Sequence, residues 1–142
     1  MAKESADKIL QVTNQMYELS RVVLFLDELG EEWDLSMPLI LSLNLVLEEA
    51  LTNIILYAFN DGQQHTISLN FQKAGDELSI TIVDEGQPYD PTQKEDPDIT
   101  LPVDERPVGG LGIFLIKKIM DKVEYQRKEN KNYLILTKHI EL

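Results

Sequence analysis

The chain has 142 residues, with 25 Asp+Glu against 13 Lys+Arg, a formal net charge of −12 and no cysteine. The length suits one domain spanning 1–142, since domains run to about 100–150 residues. The absence of thiols excludes a disulfide framework, a thiolate nucleophile and a Cys-ligated metal, while the acidity argues against broad contact with nucleic acid or anionic lipid.

Two histidines, His65 and His139, are too few for a His-rich metal site, and a hydrophobic share of 43% excludes a disordered chain. The start, Met1 to Lys8, is polar and has no apolar h-region. The greasiest stretch, Leu39 to Leu47, is interrupted by Ser42 and Asn44 and followed at once by Glu48 and Glu49. It falls short of the roughly 18–20 apolar residues of a spanning helix. No membrane contact and a cytoplasmic location are the expectation.

In chain order, Lys8 to Val12 predicts a short first strand. From Thr13 to Trp33, Met16, Leu19, Val22, Val23, Leu26 and Leu29 recur at steps that build one helical stripe, with Gly30 as its C-terminal breaker. Ser36-Met37-Pro38 opens a second helix to about Phe59, with Ser36 as cap and proline in the first turn. It is apolar on most sides, as a buried central helix is. The period then changes to two. Ile67, Leu69 and Phe71, then Leu78, Ile80 and Ile82, predict an antiparallel hairpin about Ala74-Gly75-Asp76. Residues 85–110 are acidic and punctuated by proline, a long loop of the kind usually functional or disordered. Ile113, Ile116, Ile119 and Met120 predict a third helix. Val123 to Gln126 and Tyr133 to Leu136 predict a last hairpin around Asn130-Lys131-Asn132. The order implies an α+β domain, a two-layer sandwich of helices on one face of a mixed, mostly antiparallel sheet.

Three groups of residues can carry chemistry. Glu49 and Asn53 share one face of the second helix, near the line of Ser42 and Asn60. Glu48 points about 100° away. Alone, this stripe reads equally as a solvated helix face. Asp84-Glu85-Gly86-Gln87-Pro88-Tyr89-Asp90-Pro91 begins where a strand ends. A carboxylate there, followed by glycine, lets a ligand approach the backbone closely, although the same residues make ordinary turns. Gly109-Gly110-Leu111-Gly112-Ile113 opens the third helix. Its N–H groups suit phosphate, or the glycines form a linker ending in a cap.

Taken together, the three groups resemble the GHKL ATPase superfamily, and within it the bacterial anti-sigma-factor serine kinases of partner-switching systems. The likeness runs from about residue 35 to 138. Leu47-Glu48-Glu49-Ala50-Leu51-Thr52-Asn53 resembles the N box. Asp84 to Pro91 is similar to the first glycine box in its serine-kinase form, and Gly109 to Ile113 to the second.

The resemblance implies a Bergerat ATP-binding fold with residues 92–108 as the ATP lid. It implies Glu49 as the general base, Asn53 as the Mg²⁺ ligand and Asp84 as the partner of the adenine amino group. Gly86 would leave room for the base. Gly109, Gly110, Leu111, Gly112 and Ile113 would hold phosphates, with Arg106 approaching them from the lid. Lys117 and Lys118 read as solvated. Family members often carry a basic or His residue shortly after the N-box asparagine, where Tyr57 and Ala58 stand here. They also often carry a threonine near the last strand, for which Thr137 is the candidate. The lid carries Glu95, Asp96, Asp98, Asp104 and Glu105.

The implied function is an ATP- and Mg²⁺-dependent serine/threonine-protein kinase that phosphorylates an anti-anti-sigma (STAS-domain) protein and holds a sigma factor. A homodimer without direct nucleic-acid contact is the implied assembly. The acidic lid motivates an alternative, a nucleotide-binding partner-switch module with little or no kinase activity.

Overall fold

The computed structural model describes residues 5–93 and 110–140. Its strands are β1 (Ser5–Thr13), β2 (Thr66–Ala74), β3 (Glu77–Asp84), β4 (Lys122–Lys128) and β5 (Lys131–His139), and its helices are α1 (Leu19–Glu32), α2 (Met37–Tyr57) and α3 (Gly110–Ile119). Short 3₁₀ turns occupy Met16–Glu18 and Pro91–Gln93.

Alternation builds the sheet. Ile67, Leu69 and Phe71 on β2 and Leu78, Ile80 and Ile82 on β3 are fully buried, while the residues between them are not. The order is β1-β2-β3-β5-β4, and every described pairing is antiparallel, so the expected mixed sheet is antiparallel throughout the described residues. All three helices cover the face that carries these apolar residues.

Helix α2 is the middle helix, packed against both α1 and α3. Ser36 caps it by accepting from Leu39 N at 3.3 Å. The apolar run is longer than Leu39 to Leu47. On length and composition alone, Met37–Tyr57 could cross a membrane, with a mean hydropathy of 1.7. Here Leu43, Val46, Leu47, Ala50 and Leu51 pack into the same core as β2 and β3, as in the central helix of a globular domain.

Gly30 does not end α1. The helix runs on to Glu32, and Gly30 is buried where an added Cβ would meet the Ile40 side chain. Its carbonyl accepts from Leu35 N at 2.9 Å, and the left-handed turn falls on Asp34, with φ 54°. This is the hydrogen-bond pattern of a Schellman cap. The glycine serves close approach of two helices, and an aspartate takes the turn. Trp33, the single tryptophan, is buried at this end of α1.

The last hairpin turns at Glu129 and Asn130, both with positive φ (54° and 63°). These are the angles that a two-residue hairpin loop requires. The turn therefore precedes the expected Asn130-Lys131-Asn132, and Asn132 lies inside β5.

Ile80 occupies the centre of the central strand with no exposed surface. Ile80→Ala is expected to lower the unfolding free energy by about 2–5 kcal/mol, with an unchanged denaturant slope in urea unfolding.

Candidate active site

Helix α2 and the start of α3 form one end of the site. On α2, Asn53 is buried, Glu49 half-buried and Glu48 exposed. The carboxylate pair is thus divided as its angular spacing predicts. Gly112 packs directly on the inner pair. A Cβ added there would lie 2.6 Å from Glu49 Oε2 and 3.6 Å from Asn53 Nδ2. The glycine lets the first turn of α3, whose N–H groups have no intrahelical acceptor, touch a carboxylate and a carboxamide at once. The other two polar residues of the stripe are elsewhere. Ser42 lines a separate hollow with Trp33 and Lys73, and Asn60 is exposed beyond the helix end.

Asp84 forms the other end. It is the last residue of β3, on the inward face, and only 3% exposed. Its Oδ1 accepts from Gly86 N and from Asn132 Nδ2, both at 2.9 Å. Asn132 is its register partner on β5. This amide uses all of its capacity. It also donates to Gln87 O at 2.8 Å, and its Oδ1 accepts from Tyr125 OH at 2.5 Å and from Arg127 Nη1 at 3.2 Å. Arg127 also donates to Gly86 O at 2.7 Å. Burial pushes the Asp84 carboxyl above the usual carboxylate range, and the Asn132 amide, the Gly86 N–H and the Arg127 charge pull it back.

The segment after Asp84 is strapped to the end of α2. Gln87 N donates to Ala58 O at 2.8 Å and Gln87 Nε2 to Tyr57 O at 2.7 Å. Gly86 crosses the helix end so closely that an added Cβ would overlap the Ala58 carbonyl oxygen. Tyr57 stacks on Tyr89 with ring centroids 5.7 Å apart. A basic residue beside the N-box asparagine is thus replaced by an aromatic pair, and Ala58 is small where Gly86 passes.

The two ends share one cleft. Asn53, Asp84, Tyr89, Ile116, Tyr125 and Asn132 line it, and the free space at its centre is about 20 Å³, room for one water molecule.

Other expected residues divide plainly. Gly110 begins α3, and the Ile113 side chain is buried in the core at 1% exposure, so only its backbone is available to a ligand. Of Leu111 only the helical backbone is described. Arg106, Gly109 and residues 94–108 of the expected lid, with its five acids, lie outside the described residues. Lys117 is not simply solvated, since its Nζ donates to Thr92 O at 3.4 Å, where the lid segment starts, and Lys118 sits over the Phe114 ring. Thr137 is not at the site. It pairs with Ser79, five residues along β5 from Asn132. The position facing Asp84 is Asn132. Asn132, Tyr125 and Arg127 escaped the sequence reading because the turn was placed two residues late. The signal that finds them is register, since the residue opposite a strand-end aspartate on the next strand must be polar.

Comparison with known proteins bears on the fold and the family. The family model described as histidine kinase-like ATPase domain matches residues 12–138. The serine/threonine-protein kinase BtrW of Bordetella bronchiseptica is 35% identical over 127 residues, covering 89% of this chain and 84% of that protein. The serine-protein kinase RsbW of Bacillus subtilis is 29% identical over 131 residues, covering 87% and 81%. Among solved structures, the histidine kinase domain of the Erythrobacter litoralis EL346 blue-light activated histidine kinase has the same fold. Its TM-score is 0.51 at 15% identity, over 88% of this chain and 60% of that one. The family model, the relatives and the fold agree, and the chain belongs to the histidine kinase-like ATPase family.

Proposed function

We propose that this chain is an ATP-dependent serine kinase that phosphorylates an anti-anti-sigma (STAS-domain) protein and, in its other partnership, sequesters a sigma factor. One observation carries the reading. Glu49 and Asn53 meet Gly112 at the start of α3, and Asn53 lines a cleft that also holds the buried Asp84. The named relatives are serine kinases, which supports the same reaction here.

The residues divide the work. Asp84 accepts from the adenine amino group, and Gly86 keeps the base plane clear. The N–H groups of Gly110, Leu111, Gly112 and Ile113 face the phosphates at a helix N-terminus, where negative charge is favoured. Gly109 and Arg106 complete this end. Asn53 carries a carboxamide oxygen, a donor type that suits magnesium, one helical turn from the Glu49 carboxylate. Asn53 would hold the metal, which when bound neutralises charge on the triphosphate. Glu49 holds the serine hydroxyl and takes its proton as the hydroxyl oxygen bonds to the γ-phosphorus and the bond from that phosphorus to the departing ADP breaks. The protein acts in the cytoplasm as a homodimer. It touches transcription through proteins rather than DNA, and at −12 it favours partners with basic docking surfaces.

Mixing the chain with Mg-ATP and a cognate STAS protein is expected to give phosphoserine on that protein by mass spectrometry. Glu49→Gln should slow transfer by about 10²–10⁴-fold while calorimetry shows ATP still bound, and an unchanged rate would remove Glu49 as the base. Asn53→Ala should abolish the difference between ATP affinities measured with and without Mg²⁺.

Asp84 makes affinity pH-dependent. Only its carboxylate accepts the amino group, and its pKa is raised in the fold. ATP affinity should therefore fall as pH drops through that raised pKa, at a higher pH than an ordinary carboxylate would give. Asp84→Asn should flatten the profile. Stability moves oppositely, because a raised folded pKa means that the native state binds more protons than the unfolded chain. The Asp84 contribution is fully present below the unfolded value and is lost as pH rises through the folded one.

A further inference from the structure

We infer that the hollow at the end of the sheet opposite Asp84 is a second binding site. Its ligand is a small organic anion whose carboxylate or phosphate is held by Lys73 and Lys138 and whose apolar body lies against Trp33. The inference does not depend on the kinase reading.

The inner face of the sheet carries the first observation. Its middle rows are apolar and buried, with Leu69 and Phe71 on β2, Ile80 and Ile82 on β3, and Leu134 and Leu136 on β5. Polar side chains enter this face at its two ends. At one end, the Asp84–Asn132 row belongs to the cleft described above. At the other, Lys73 of β2 and Lys138 of β5 both pair with Leu78 of β3, so the three side chains share one row and one face. Leu78 is fully buried there, and both lysines are half-buried. A charge at a position that alternation assigns to the core is an error unless it is functional.

Helix ends account for only part of these lysines. Lys138 Nζ donates to Ile119 O at 2.8 Å, at the end of α3, and Lys73 Nζ donates to Trp33 O at 3.5 Å, just past α1. Each ammonium has three N–H groups, so two on each remain for another acceptor. Among the described residues, neither lysine forms an ion pair with a carboxylate, in a chain with nearly twice as many acids as bases. Their Cα atoms are two strand spacings apart, about 10 Å. One oxyanion fills that gap with an ammonium on either side.

The hollow has room for the rest of such a ligand. Its free volume is about 490 Å³, within the roughly 300–1,000 Å³ of small-molecule sites. Buried Trp33 and Ile140 give it apolar surface, and Ser42 adds a hydroxyl. Ser36 and Pro38 bring the positive end of α2 to its wall. Asp34 is the one acid among the lining residues and is exposed. His139 is exposed as well and meets Asp76 through Nδ1 at 3.4 Å. Two lysines against one aspartate leave the hollow positive in a molecule of −12, which draws an anion to it.

The test is a heteronuclear NMR titration that follows the indole N–H of Trp33, the single tryptophan. The probes are phenyl phosphate and benzoate, with inorganic phosphate as a head without a body and benzyl alcohol as a body without a charge. Phenyl phosphate, benzoate or both should move the Trp33 signal to saturation at millimolar concentration, and whichever does so identifies the head group. Inorganic phosphate should bind more weakly, and benzyl alcohol should leave the signal in place. Lys73→Gln and Lys138→Gln should each weaken binding about tenfold, as loss of a charged hydrogen bond does. The double variant should abolish it, with the remaining signals reporting the fold. In wild type, sodium chloride at about 1 M, where the screening length is about 3 Å, should weaken binding several-fold, a readout that needs no variant to fold. A Trp33 signal that neither organic anion moves, benzyl alcohol that binds as tightly as they do, or an affinity indifferent to the glutamine pair or to salt overturns the site.

Discussion

A carboxylate in an apolar floor sets the terms for the rest of this site. Asp84 is nearly inaccessible to water at the end of the central strand, and an ion there is costly unless its oxygens are hydrogen-bonded. The surroundings supply that need from three directions. The chain folds back so that Gly86 donates from two residues on, β5 contributes an amide in register, and β4 contributes a cation held through that amide and through the Gly86 carbonyl. These bonds consume Oδ1 and fix the rotamer. The same turn that satisfies Asp84 carries Gln87 and Tyr89 onto the end of α2. The Asp84 end and helix α2 are therefore parts of one hydrogen-bonded assembly rather than two neighbouring elements.

Much of the fold was legible because local rules and burial agreed. The alternation of β2 and β3, the Ser36 cap and the angular split between Glu48 and Glu49 all follow from single-element periodicity. What escaped depends on contacts between elements. Gly30 reads as a stop signal in one helix but is a spacer between two. The turn of the last hairpin was misplaced because Glu129 adopts positive φ without glycine, and Asn130-Lys131-Asn132 looked the better turn. That slip of two residues hid Asn132, an asparagine whose type suggests a loop and whose position is a strand interior. Thr137 was sought for its chemistry, but register places it on the opposite face of β5. The site's own residues were visible as three motifs. Their convergence was supplied by family likeness, since no periodicity argument brings α3 onto α2.

The charge of −12 is not spread evenly over the molecule. Among the described residues, acids crowd the helix layer, the centre of the sheet face turned away from the helices is free of them, and Arg127 sits on Gly86 and Asn132 beside Asp84. An acidic protein can still hold a polyanion when positive features, here a half-buried guanidinium and a helix N-terminus, stand near its cleft.

Trp33 gives the molecule a practical asymmetry. The only tryptophan lies beside the α1–α2 turn, next to Lys73 at the far end of β2, while Asp84 closes the opposite end of the sheet. The tyrosines Tyr57, Tyr89 and Tyr125 are gathered around the cleft instead. Three of the five tyrosines are thereby set apart from the indole. Indole emission, excited on the red side of the phenol band, reports on the integrity of the fold far from the cleft. The chain carries its own optical probe of folding without an introduced label.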